Sequence, residues 1–122
     1  MTDSYISQAM RTNAPGIHSE KVDPQILHAA IGLSTEAGEL LDAVKKSLFY
    51  GKDFDRTNAI EELGDIFWYL ALGCEALGVT FEEVQATNIA KLRARYPERF
   101  KTAQALSRDL EKEREILEAG GE

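Results

Sequence analysis

The chain has 122 residues, 43% of them hydrophobic and 29% charged, and carries a formal net charge of −7. That length suits one domain with a modest core, and the balance is that of a soluble globular protein rather than a disordered chain. The acidic excess opposes non-specific binding to nucleic acid or anionic lipid, and no apolar run approaches the roughly 18 residues a membrane span requires. The opening "MTDSYISQAMRTN" lacks the basic-then-apolar pattern of a signal peptide, so a cytoplasmic location is expected. The one cysteine, Cys74, falls on an apolar helix face, which predicts a buried thiol.

Helix punctuation recurs along the chain, whereas no β-branched run alternates apolar and polar residues. Asp3 or Ser4 can cap a short first helix ending near Asn13, and "APGIHSEKV" reads as a loop. Asp23 before Pro24 is an N-cap with proline in the first turn; the helix it opens can run to Tyr50, with Gly51 as its stop. "GKDFD" connects, and its Asp55 can cap a helix that runs to about Leu77 and stops at Gly78. Thr80 and Glu83 have the spacing of a capping box, opening a helix that ends before Pro97. "ERFKTAQAL" is ambiguous. Ser107 to Ala119 is a charged segment with Glu–Lys and Glu–Arg pairs at helical spacing, and "GGE" is a frayed end. No repeat or linker divides the chain. The expectation is one all-α domain over residues 1–122 with a four-helix-bundle-like core at about 23–100 and a charged C-terminal helix at about 102–119.

The two central helices say most. On the first, Ile26, Ala30, Leu33, Ala37, Leu40, Val44 and Leu48 form one apolar stripe; on the second, Leu63, Ile66, Phe67, Leu70, Cys74 and Leu77 do the same. The second helix also carries Trp68, Leu72 and Ala76 on nearly the opposite side, and a helix apolar on two sides wants two partners. Another subunit is the favoured second partner; the other possibility is that the C-terminal helix folds back over Trp68.

Glu36 and Glu39 project beside the first stripe, next to Ala29, Gly32 and Ala43, whose small side chains leave room. Glu62 and Asp65 flank the second stripe on the side of Tyr69 and Gly73. Residues three apart are neighbours on a helix surface, so antiparallel packing can set one pair facing the other. Four converging carboxylates stay ionised only with cations between them, and an oxygen-only ligand set suits Mg²⁺ or Mn²⁺. A di-iron bundle would pair glutamate with a histidine three residues on, and neither His18 nor His28 stands in such a motif. Most Glu-x-x-Glu pairs in acidic helical proteins are solvated faces, and "EKEREILE" is read as one. On the next helix Asn88, Lys91 and Arg95 share one face, fitted either to a polyphosphate or to pairing with nearby glutamates.

Glu36-x-x-Glu39, 22 intervening residues, then Glu62-x-x-Asp65 resembles the signature of the all-α nucleoside triphosphate pyrophosphohydrolases, the superfamily of MazG-like enzymes, dimeric dUTPases and dCTP pyrophosphatases. "EELGDIFWYLA" and "NIAKLRARYPERF" look MazG-like over about Ile26 to Phe100, and the short chain with its tail "ALSRDLEKEREIL" looks like the phage and stand-alone branch. The resemblance implies Glu36, Glu39, Glu62 and Asp65 as Mg²⁺ ligands, with Mn²⁺ able to substitute, and Asn88, Lys91 and Arg95, helped by Tyr96, on the phosphates. It implies hydrolysis of a nucleoside triphosphate between the α- and β-phosphates, with Glu36 as the carboxylate that takes the proton of the attacking water. Glu61, on the other face of its helix, is given a supporting role. The resemblance also implies a dimer or dimer of dimers in which one subunit's N-terminal segment closes another's site. dGTP or GTP is the first substrate expected, dUTP, dCTP or a broad house-cleaning range the next. The competing class is a non-enzymatic helical dimerisation module with solvated carboxylates.

Overall fold

The computed structural model describes residues 4–120, and every regular element among them is helical. In chain order these are α1 (Tyr5–Met10), a 3-10 turn (Ser19–Lys21), α2 (Pro24–Tyr50), α3 (Arg56–Leu77), α4 (Phe81–Arg95), α5 (Thr102–Leu106) and α6 (Leu110–Glu118). No single helix among the described residues is long and apolar enough to cross a membrane.

Local chemistry accounts for the helix ends. The Asp23 carboxylate accepts from the Gln25 N–H at 2.7 Å, and Asp55 accepts from the Asn58 N–H at 3.0 Å. Thr80 and Glu83 form the full capping box, with bonds of 3.1 and 2.9 Å. Gly51 and Gly78 close α2 and α3 with φ of 70°, in the left-handed region that favours glycine. Ser4 caps α1, which stops at Met10 rather than near Asn13; Asp3 lies outside the described residues, as do Gly121 and Glu122 of the expected frayed end. The ambiguous stretch holds the short α5, and α6 starts late because Asp109, not Ser107, supplies its cap.

α2 and α3 form an antiparallel hairpin. Residue numbers rise on one helix as they fall on the other: Ala29 meets Gly73, Gly32 meets Tyr69, and Glu36 and Glu39 meet Glu62. The seam on α3 runs Ala59, Glu62, Ile66, Tyr69, Gly73 and Ala76, all buried or half-buried, in the three-four spacing of a coiled-coil interface. This corrects the expected stripes in part: Ile26, Leu33, Leu40 and Val44 on α2 and Ile66 and Cys74 on α3 are half-buried as expected. Ala30, Ala37 and Leu48 on α2 are exposed, and so are Leu63, Phe67, Leu70 and Leu77 on α3, while the most buried apolar positions are Ala29, Gly32 and Ala59. The reason is close approach. A Cβ at Gly32 would run into the Tyr69 ring and Ala29 meets Gly73, so these small residues form the contact instead of leaving room, whereas Ala43 does border open space. Cys74 is half-buried, short of the full burial expected.

The second half of the chain turns away. α4 leaves α3 at 94°, Phe81 setting its ring edge-on to Phe67 at 6.5 Å, and α6 packs on α4. The C-terminal helix therefore does not cover Trp68, which is 57% exposed. Glu113 holds α6 in place: it accepts from Arg95 Nε at 2.7 Å and from Arg108 Nη2 at 2.9 Å, and is only 4% exposed. The run "EKEREILE" is thus not wholly a solvated face, because Glu113 points inward while Arg114 and Glu118 pair outside at 2.6 Å. In total the chain exposes 10148 Å², against about 6,600 Å² for a folded monomer of its 13.6 kDa. One chain supplies a hairpin and a smaller helix pair, with a broad apolar face left on α3.

Two tests follow from this packing. Gly32→Ala gains helix propensity of up to about 1 kcal/mol but overpacks against a ring, which typically costs about 1–3 kcal/mol. Urea denaturation should show net destabilisation; unchanged stability would mean that Tyr69 yields freely. The Arg95 guanidinium, then Arg108, holds the Glu113 carboxyl below its ordinary value. A depressed carboxyl contributes stability above its unfolded value of roughly 4.5, and loses it as pH falls through the folded value. Thermal melts should show Glu113→Gln less stable than wild type at pH 7, the two converging in acid. Equal melting temperatures at pH 7 would show that the ion pair does not hold α6.

Candidate functional site

Glu36 and Glu62 occupy seam positions, where an apolar residue would ordinarily sit. Each brings a companion one turn away, Glu39 on α2 and Asp65 on α3, both exposed. The antiparallel register draws the four together: one carboxylate oxygen from each of Glu36, Glu62 and Asp65 lies within 4.8 Å of the others, and Glu39 also reaches Glu62. Glu62 is 5% exposed. Its Oε2 and that of Glu36 are buried and meet no donor. The Glu62 carboxyl is pushed up to about 8, first by sharing a hydrogen bond with Glu36, then by burial and by Glu39.

Two buried acceptors without a donor are a cost that folded chains avoid unless something else satisfies them. A proton between Glu36 and Glu62 does so in part; a hard divalent cation does so for all the oxygens at once. The donor set is oxygen alone, as such cations prefer, and two of the carboxylates open to solvent. The residues present therefore fit a metal centre.

Cavities flank the cluster on both sides. One of about 370 Å³ is lined by Glu36, Asp65, Trp68 and Tyr69. The other, about 360 Å³, is bounded by Glu39, Asp42, Lys46, Ser47, Lys52 and Asn58 among others. Lys52, which shares this cavity with Glu39, was missed in the sequence because "GKDFD" reads only as a connector, and Lys46, paired with Asp42 at 2.9 Å, was passed over within α2. The available signal was Lys46 seven residues after Glu39, two turns along the same helix face.

The expected phosphate contacts lie elsewhere in the single chain. Asn88 lines a larger cavity of about 700 Å³ with Leu77, Val84, Thr87 and Leu117. Lys91 is half-buried on α4. Arg95 is held by Glu113 and stands 5.7 Å from the Tyr96 ring centre, with Phe100 packed on Tyr96 at 5.2 Å. None of the four lines either cavity beside the carboxylates. Glu61 is exposed, beside Glu62 in sequence but off the seam.

Comparison with known proteins adds the decisive observation. Residues 26–100 match the MazG nucleotide pyrophosphohydrolase domain. The chain belongs to the MazG family. The matched span contains α2, α3 and α4, hence all four carboxylates, so the domain is that of a nucleotide pyrophosphohydrolase, a metal-dependent class of enzyme. The Gene 37 protein of Mycobacterium phage L5 is 36% identical over 75 residues, an alignment covering 56% of this chain and 63% of the phage protein. The chain thus spans less than two thirds of that relative's length. A phage relative agrees with the resemblance to the phage branch. No solved structure matches significantly.

The crowding of Glu62 gives a pH test. Its folded value, about 8, lies above its ordinary one, so the fold favours the protonated form. That contribution is fully present below roughly pH 4.5 and is lost as pH rises to about 8. In chelator, chemical denaturation should show stability falling across this window, and a divalent cation should restore it at the upper end. Glu62→Gln should flatten the fall; an unaltered slope would place the titration on another group.

Proposed function

We propose that the chain hydrolyses a nucleoside triphosphate at the α–β phosphate bond, releasing nucleoside monophosphate and pyrophosphate. The observation that carries this reading is the convergence of Glu36, Glu39, Glu62 and Asp65, with buried carboxylate oxygens that meet no donor. These four would hold Mg²⁺, with Mn²⁺ able to replace it. Cations held there supply charge neutralisation and polarisation at the phosphoryl oxygens. Glu36 lines the cavity and takes the proton of the attacking water. The water oxygen bonds to the α-phosphorus as the bond to the bridging oxygen breaks, and pyrophosphate leaves.

Asn88, Lys91, Arg95 and Tyr96 are assigned to the phosphates, reaching them from a second chain. The area exposed by one chain supports a dimer or dimer of dimers, with the apolar face of α3 covered by a second hairpin. The Glu113 contact fixes the Arg95 guanidinium through Nε, so its Nη groups carry the phosphate contact. The net charge of −7 supports a small nucleotide rather than nucleic acid or a membrane surface as partner. The expected setting is the cytoplasm, that of the host if the chain is phage-encoded. dGTP or GTP is the first substrate to test, followed by dUTP and dCTP and by a broad house-cleaning range.

Each common nucleoside triphosphate is incubated with the protein and Mg²⁺ and the products are resolved. Monophosphate and pyrophosphate should appear, and Glu39→Gln or Asp65→Asn should abolish turnover with helicity retained. Glu36→Gln should cut single-turnover rates far more than the binding of a non-hydrolysable analogue. Arg95→Gln should weaken that binding roughly ten- to a hundred-fold. A chain that assembles yet binds no cation and turns over no triphosphate would be a helical interaction module instead.

A further inference from the structure

Trp68 has no part in the reaction just described, yet it stands beside the carboxylates. It follows Asp65 by three residues, which puts the two on one helix surface about 5–6 Å apart at Cβ. It shares a cavity of about 370 Å³ with Glu36, Asp65 and Tyr69 and is 57% exposed. Its ring is nonetheless fixed: Tyr69 packs edge-on at 5.1 Å and 86°, and His28 of α2 stands edge-on to both, 6.3 Å from Trp68 and 5.7 Å from Tyr69. Tyr69 is itself held against Gly32. An indole fixed by its neighbours but largely open to a cavity offers a flat apolar surface that loses little freedom when something lies on it.

We propose that Trp68 is the stacking platform for the nucleobase of the substrate, with His28 and Tyr69 as its positioning residues. This rests on the pyrophosphohydrolase reading, since it takes the α-phosphate to lie at the carboxylates. From there the ribose carries the base along α3 by about one helical turn, ~5.4 Å, which is the step from Asp65 to Trp68. The opposite direction offers no such surface: the cavity beyond Glu39 is walled by Asp42, Lys46, Lys52 and Asn58 and has no aromatic side chain. The larger cavity between α4 and α6 has none either. The substrate therefore runs with its base toward Trp68 and its β- and γ-phosphates toward Glu39.

Trp68 is the only tryptophan, so emission excited at the red edge of the indole band, where the four tyrosines scarcely absorb, reports this ring alone. The unmodified protein with Mg²⁺ is titrated with α,β-methylene guanosine triphosphate and, separately, with inorganic tripolyphosphate, which carries the charge without a base. Calorimetry runs alongside. The guanosine analogue should quench the emission as it binds, and tripolyphosphate should bind without quenching. Trp68→Ala should weaken the analogue roughly ten- to a hundred-fold, as loss of an aromatic stacking partner does. It should leave tripolyphosphate affinity unchanged, while Trp68→Phe keeps most of the analogue affinity. The proposal is overturned if the analogue binds with unaltered emission or if Trp68→Ala weakens both ligands alike; hydrolysis of natural triphosphates in the same preparation would then leave the reaction standing. Quenching without any product would keep the stacking site and remove the reaction. No calorimetric binding of the analogue would remove the stacking site for guanine, and with no product from any natural triphosphate it would remove the reaction too.

Discussion

The rest of the structure depends on the contact between Gly32 and Tyr69. With no side chain on α2 at that point, α3 comes close enough for a ring to rest on backbone, and the same closeness applies one turn on, at Glu36 and Glu62. Apolar side chains at those two positions would complete an ordinary seam. Carboxylates there make the fold hold like charges together, and burial removes the water that would screen them. The cost falls on Glu62, which retains its proton up to about pH 8.

The single chain otherwise has little core. Its buried apolar residues are small and sit in the hairpin, and many of its large ones are exposed, along α2 (Leu27, Ile31, Leu41, Leu48) as well as α3 (Ile60, Leu63, Phe67, Leu77). The α4–α6 pair is fastened differently, by a buried carboxylate between two arginines instead of by apolar contact. Such a fastening is directional and fixes Arg95 in one orientation, where an apolar contact would let it turn. The chain thus has a rigid part that places carboxylates and a second part that places cations.

Much of this was legible in the sequence. Asp23, Asp55 and the Thr80–Glu83 pair announced their helices because a cap depends only on residues within one turn. The carboxylate quartet was legible for a related reason: two pairs at helical spacing on consecutive helices with a short connection have few ways to miss each other. The phase of the seam was not. Periodicity ranks positions by hydrophobicity, so it chose Leu63 and Phe67 over Ala59 and Gly73, whereas close packing of two helices is decided by what is small. Glu113 was hidden for a different reason. Nothing within "EKEREILE" separates the glutamate that meets Arg95, eighteen positions away, from its solvated neighbours. The partners of a buried charge are a property of the tertiary fold.

The signs of the charges impose one more condition. A chain of net charge −7 that gathers four carboxylates at one place repels a polyphosphate, the most anionic small ligand in a cell. Cations at the carboxylates remove that repulsion, but they bind any polyphosphate, and so cannot choose among nucleotides. Selection has to come from surface that the charge does not dominate. Along α3, one turn beyond Asp65, Trp68 and Tyr69 form an aromatic wall to the cavity beside the carboxylates, whereas the cavity on the Glu39 side has none among the described residues. If the carboxylates hold the phosphates and Trp68 the base, as proposed above, the two tasks fall on successive turns of α3, whose seam with α2 holds Asp65 and Trp68 at a fixed distance.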